Sequence, residues 1–146
     1  MKNKLVRTLI LAASVMLMTG CAATLGPQFE SVTAVPSGKA LIYIYRTPKF
    51  VGSAVGFDIH HSDKVITHLA SGGYYPYITD PGTVELWAKT EAKSSVTLHV
   101  RAGETRYVKG EVGVGFFVGR PKLEVVGNII GAKEITECKL IPEKTK

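Results

Sequence analysis

Four sets of residues in this chain could carry chemistry. The first is Gly113-Val114-Gly115-Phe116-Phe117-Val118-Gly119, which has the glycine density of a phosphate cradle. A dinucleotide fingerprint needs Gly-x-Gly-x-x-Gly between a strand and a helix, so that pyrophosphate meets the helix N-terminus. Here three residues precede the last glycine, Arg120-Pro121 opens another strand-like run, and no Gly-Lys-Ser/Thr ending supplies a P-loop. The apolar stretch is also too short to span a bilayer, which takes roughly 20 residues. Glycine within a strand marks a bulge or close backbone approach. Val112, Val114, Phe116 and Val118 would share one face, with Gly113, Gly115, Phe117 and Gly119 on the other. The bare face is expected to take a neighbouring sheet, or else a partner or ligand.

The histidines raise metal binding as a second chemistry. His60 and His61 are adjacent in a strand-like run and so point to opposite faces. With Ser62-Asp63 as a two-residue turn, His61 and His68 share a face but stand four rungs apart, about 13 Å at strand rise. Zinc needs its ligands about 2.1 Å from one centre, so surface histidines are expected instead, with no metal or other cofactor. A third set, Ser94-Ser95, Asp58 and Cys138, lacks any nucleophile context such as Gly-x-Ser-x-Gly, and the carboxylates are scattered singly. No enzyme is expected. The fourth set is aromatic. Tyr75 and Tyr77 share a face around Pro76, and Trp87 sits between Glu85 and Lys89 on the charged face of its strand. Such residues either pack at a sheet edge with their polar ends wet, or stack on sugars and anchor an interface.

The elements that must position these residues begin with an export signal. Lys2, Lys4 and Arg7 precede an apolar run from Leu9 to Met18 that is about half the length of a membrane span. Met18-Thr19-Gly20-Cys21 resembles the lipobox of bacterial lipoproteins. That resemblance implies cleavage after Gly20, lipid attachment at Cys21 and acylation of the new amino terminus. Several acyl chains hold a soluble domain at a membrane firmly where one holds it weakly. Ala22 rather than Asp after the lipidated cysteine leans toward the outer membrane. Of 18 basic residues three lie in the signal, leaving 15 against 12 acidic and a mature net charge of +3 over 126 residues. That balance, with no Lys/Arg-rich block, implies no nucleic-acid partner.

Residues 21–38 read as the lipidated cysteine and a tether, with Gly26, Pro27, Pro36 and Gly38 and no sustained periodicity. Beyond it the pattern turns to strands. "KALIYIYR" is apolar and β-rich, as in a strand buried on both faces; "AVGFDIHH" and "KVITHL" flank the Ser62-Asp63 turn. "TVELWAKTEA" and "SSVTLHVR" alternate apolar with polar residues, and Asp80-Pro81-Gly82 and Ala102-Gly103 turn the chain. Cys138, in "EITECKLIP", reads as a buried thiol on a last strand. Without a helical stripe anywhere in the mature chain, a single antiparallel β-sandwich over 39–146 is expected.

"ALIYIYR", "FVGSAVGFDI", the long run from "YITDPGTVELW" to "VGVGFFVGRPKLEVV", and "ITECKLI" together resemble the bacterial lipoprotein domain of unknown function 2846. The "PG" before an alternating strand is more loosely similar to the PEGA-type sandwich. The resemblance implies an Ig-like or PEGA-like sandwich on a lipid anchor and brings no catalytic residues with it. The expected function is non-enzymatic: a domain held on the periplasmic face of the outer membrane that presents a binding surface to another envelope protein. The alternative is a glycan- or peptidoglycan-binding module. Trp87, Tyr75, Tyr77, Gly113, Gly115 and Gly119 are the candidate surface, and no nucleotide is expected to bind.

Overall fold

The computed structural model of the chain describes residues 25–143. The expected signal peptide, Gly20 and Cys21 lie outside the described residues. The elements are β1 (Ala40–Tyr45), β2 (Phe57–His61), β3 (Lys64–Leu69), β4 (Gly73–Thr79), β5 (Gly82–Lys89), β6 (Lys93–Val100), β7 (Thr105–Gly113), β8 (Arg120–Val126), a short helix α1 (Asn128–Glu134) and β9 (Lys139–Leu140). They form two sheets, ordered β8-β7-β1-β4-β9 and β3-β2-β5-β6, packed face to face as a β-sandwich.

Local pattern explains most of the strands. In β5 the buried residues are Val84, Leu86 and Ala88, alternating with exposed or half-buried Thr83, Glu85, Trp87 and Lys89. β6 pairs with it rung by rung from Gly82–Val100 to Lys89–Lys93. β2 and β3 meet through a two-residue turn at Ser62 and Asp63, where Ser62 takes a left-handed φ of 53°. Pro76 is tolerated inside β4 because β9 reaches only Gly73 and Tyr74, so its missing N–H falls on an unpaired edge.

The larger sheet is mixed rather than purely antiparallel. β1 runs parallel to β7, and β4 parallel to β9. A parallel neighbour needs a long crossover, and here the excursion through the whole second sheet supplies it. Both β1 and β7 consequently finish at the same end of the sandwich.

All six residues of β1 are buried, as expected, and the reason is a third layer. Ala40, Ile42 and Ile44 face the second sheet and join Phe57, Ile59 and Leu86 in the main core. Leu41, Tyr43 and Tyr45 point the other way, with Tyr74 and Tyr107, into a second core under Ile135 and Cys138. Residues 25–38 help close this second core, so the part of the expected tether nearest the domain is packed against it. The Phe29 ring meets Tyr43 and Tyr74 edge-on at 5.4 and 5.0 Å, and the Val32 N–H donates to the Tyr43 hydroxyl at 2.8 Å. Three residues, 22–24, separate Cys21 from this ordered segment.

The C-terminal part differs from expectation as well. α1 has only two turns and buries a single residue, Gly131, so no apolar stripe announces it. "ITECKL" is a 3₁₀ turn over Ile135–Glu137 followed by the two-residue β9, not one strand. Cys138 is nonetheless fully buried, and its thiol donates weakly to the Arg46 carbonyl at 3.4 Å. Burial, with Glu137 nearby, pushes the thiol up to about 12, and only the thiolate is reactive. We expect Cys138 to resist thiol reagents in the native protein and to label only on unfolding, as mapped by mass spectrometry. Stoichiometric labelling of Cys138 under native conditions would contradict its packing.

Candidate functional site

The two outer faces of the sandwich differ in kind. The face of the five-stranded sheet is covered by residues 25–38 and α1, whereas no described element covers the outer face of the four-stranded sheet. On that open face, near the end of β5 and beside the β2–β3 turn, stands the half-buried Trp87. The register pairs it with His60, and the β2–β3 register shift at Ile59/His60 accompanies the imidazole's position on the indole. The rings stack at 3.8 Å between centroids and 7° between planes. β6 flanks β5 on the opposite side and brings the Lys93 ammonium over the ring, 4.9 Å from its centroid, within cation–π range. The indole N–H donates to the Ser62 carbonyl at 2.9 Å. Around this group lie the Asp58–His68 pair at 2.8 Å and the looser Lys93–Glu85 pair at 4.0 Å. Among the described residues, His60 Nδ1 is a buried side-chain polar atom with no hydrogen-bond partner.

The tyrosines do not join Trp87. Tyr75 and Tyr77 do share a face of β4, but it is the inner one: both pack against the main core. Tyr77 hydroxyl lies 2.7 Å from His61 Nδ1, and His61 pairs with Leu86 on the inner side of the second sheet. Burial raises the Tyr75 phenol above its ordinary value. The four-stranded sheet therefore stands between the tyrosines and Trp87. The Trp87 ring, covered from one side by His60 and approached from the other by Lys93, has little open π-face for a sugar.

The glycine stretch also departs from its expected form. β7 ends at Gly113 and β8 starts at Arg120, so Gly115 and the residues around it form a hairpin loop and present no bare strand face. The loop folds over one carboxylate. Glu91, at the tip of the β5–β6 hairpin, accepts the N–H groups of Phe116 at 2.9 Å, Val118 at 2.5 Å, and Phe117. Those three bonds hold its carboxyl down to about 2. Thr90 hydroxyl donates to the Gly119 carbonyl at 2.9 Å. The glycine over which the second sheet closes is Gly110, where an added methyl would lie 2.4 Å from Leu69 Cδ2.

No family model matches the chain, and no curated protein or solved structure does either. The described residues hold no group of three or more His, Cys, Asp or Glu side chains placed to share a metal. Two polar devices escaped the sequence reading. One is Glu91 with its loop; the other is Arg46, a buried guanidinium that donates to the carbonyls of Val55 at 2.5 Å and Gly52 at 2.7 Å. Burial lowers its affinity for the proton. Neither could be found from spacing, because each acts on backbone groups whose approach only the fold creates.

Proposed function

We propose that this protein acts by binding rather than by catalysis, as a lipid-anchored domain of the bacterial envelope whose open sheet face receives another envelope protein. One observation carries the reading: among the described residues nothing covers the outer face of the four-stranded sheet, and an aromatic–cationic group built on Trp87 sits on it. Interfaces draw most of their energy from a few Trp, Tyr and Arg residues within a polar rim. Trp87, backed by His60 and fixed by its bond to Ser62, has that form, with Asp58, His68, Glu85 and Lys93 as the rim. The lipobox-like Met18-Thr19-Gly20-Cys21 and the following Ala22 support anchoring through Cys21 on the periplasmic face of the outer membrane. Membership of the lipoprotein domain of unknown function 2846, with an Ig-like, loosely PEGA-like sandwich, belongs to the same proposal. Its support is the extent of the resemblance and the two-sheet core.

The test is proximity labelling from the anchored protein, comparing the natural chain with Trp87→Ala. Loss of an aromatic anchor costs roughly 2 kcal/mol or more of binding, about 30-fold in affinity. Labelling of the partner is expected to collapse while the fold, followed by circular dichroism, is retained. A labelling profile that Trp87→Ala leaves unchanged would remove the open face from consideration.

A further inference from the structure

The end of the sandwich where β1 and β7 both finish carries two apolar loop tips. After β1, Phe50 is 97% exposed and Val51 82% exposed; after β7, Val114 is 95%, Phe116 81% and Phe117 87% exposed. Large apolar side chains in such numbers on one end are costly in water, and exposed patches of this kind mark interaction sites. The two loops adjoin: a methyl group on Gly52 would lie 3.3 Å from Val112 at the end of β7.

Both tips are held rigid from below by charged groups. Arg46 fixes the first loop through the Gly52 and Val55 carbonyls, and Glu91 fixes the second through three backbone N–H groups. A loop tied in this way cannot collapse to bury its phenylalanines. Basic residues lie near the tips: Lys49 precedes Phe50, Arg120 follows the second loop, and Lys89 and Lys93 flank the β5–β6 hairpin tip whose Glu91 holds that loop. Three of the four are paired, Lys49 with Glu111 at 2.6 Å, Arg120 with Glu91 at 3.5 Å and Lys93 with Glu85 at 4.0 Å, so four cations stand against three carboxylates and this end is only weakly basic.

The chain also enters the domain here. A methyl group on Gly72 would lie 3.5 Å from Pro48 and 4.0 Å from Leu25 Cδ1, and Pro48 begins the first loop. Leu25 is four positions after Cys21, a reach of about 14 Å.

We propose that this end docks on a phospholipid bilayer, with Phe50, Val51, Val114, Phe116 and Phe117 entering the interface and the weakly basic side chains around them at headgroup level. Apolar residues among weakly basic side chains suit a surface whose outer layer is charged and whose interior is hydrocarbon. Both loops would then sit against lipid, and the open face around Trp87 would stand roughly upright on the membrane. The proposal takes from the preceding one only the lipid on Cys21, which holds the domain near the bilayer; the exposed tips stand without it.

The five phenylalanines make the test possible in the unsubstituted chain. Fluorophenylalanine is incorporated, the protein is reconstituted in phosphatidylethanolamine–phosphatidylglycerol vesicles, and fluorine resonances are assigned with single Phe→Tyr variants. Spin-labelled lipid is expected to broaden Phe50, Phe116 and Phe117 and to leave Phe29 and Phe57 sharp, while a water-soluble paramagnet loses access to the first three. If the soluble agent still reaches all three and spin-labelled lipid broadens none, the docking is overturned. Protection from the soluble agent without broadening by lipid overturns it in favour of a second copy or another protein on this end. The mass of the mature N-terminus separates the two readings. Acylated Cys21 with unbroadened phenylalanines keeps the anchor and removes the docking; bare Cys21 with broadened phenylalanines does the reverse.

Discussion

Replacing Gly131 with alanine is expected to destabilise the protein by about 2–3 kcal/mol, although helix propensity alone favours the change by about 1 kcal/mol. Gly131 is the buried residue of α1. An alanine Cβ there would lie 2.3 Å from Tyr107 Cγ, 2.5 Å from its Cβ and 2.7 Å from its Cδ1. Those atoms belong to the root of the tyrosine side chain, so no rotation of a flexible end relieves the contact. Tyr107 cannot retreat either, because its ring stacks on Tyr43 at 5.5 Å and meets Tyr45 edge-on at 6.5 Å. The helix must lift instead, opening the second core. For a domain of this size the loss corresponds to roughly 8–15 °C in melting temperature. Gly127→Ala is the control: nothing lies within 4 Å of an added methyl, and its φ of −63° suits alanine. A Gly131→Ala variant that melts at or above the natural protein would show that local propensity outweighs the packing.

Glu134→Ala is expected to cost about 2 kcal/mol at neutral pH. Glu134 accepts the Tyr45 hydroxyl at 2.6 Å and pairs with Lys109 at 2.8 Å. Its loss strands a phenol on a fully buried side chain and leaves Lys109, only 16% exposed, with the more distant Glu111 at 3.7 Å as its remaining partner. Fully buried pairs lose 3–5 kcal/mol when broken; Glu134 is 29% exposed, and solvent screening reduces the figure. In a Tyr45→Phe background the cost should shrink, because the two residues share one hydrogen bond.

The same network sets a pH profile with two limbs. Hydrogen bonds from Lys109 and Tyr45 hold the Glu134 carboxyl below its ordinary value. Its stabilisation is therefore complete above about 4.5 and fades as the pH falls further. On the alkaline side the shifts are upward. Lys109 is raised by its bond to Glu134; Tyr45, Tyr43 and Tyr107 are raised chiefly by burial. Groups of this kind stabilise fully below their unfolded values and lose that contribution as the pH rises past them. Stability should hold level between the limbs and fall above about pH 10, with tyrosine absorbance rising together with unfolding. Denaturant titrations across the range check this, and Glu134→Ala should flatten the acid limb. An acid limb identical in the variant would assign it to other carboxylates.

How much of this was legible in the sequence depends on the range over which each feature is decided. Alternation in "TVELWAK" and "SSVTLHV" gives the buried face of β5 and β6, because neighbouring side chains on a strand must point to opposite sides. Ser62-Asp63 gives its turn for the same local reason. The apolar "ALIYIY" already implies cover on both sides, and β1 has it. α1 was not legible: its buried residue is a glycine, which contributes nothing to an apolar count. Residues 25–38 looked like a tether because Phe29, Val32 and Val35 follow no period; each fits a position defined by the tyrosines of β1 and β4.

The candidate site divides along the same line. Sequence placed Trp87 on a polar outer face and paired Tyr75 with Tyr77 correctly, yet alternation says only which residues share a face, not what that face meets. Sheet order decided that the tyrosines turn inward and that His60 and Lys93 close on the indole from opposite sides. The chain by itself determined strands, turns, a lipobox-like start and an outward tryptophan, all consequences of neighbours a few residues apart. Tertiary structure alone decided that β1 and β7 run parallel, so that two apolar loops more than sixty residues apart emerge side by side near Leu25. Strand pairing is a contest among distant partners, and its outcome is fixed by how all the faces close on shared cores rather than by any one segment.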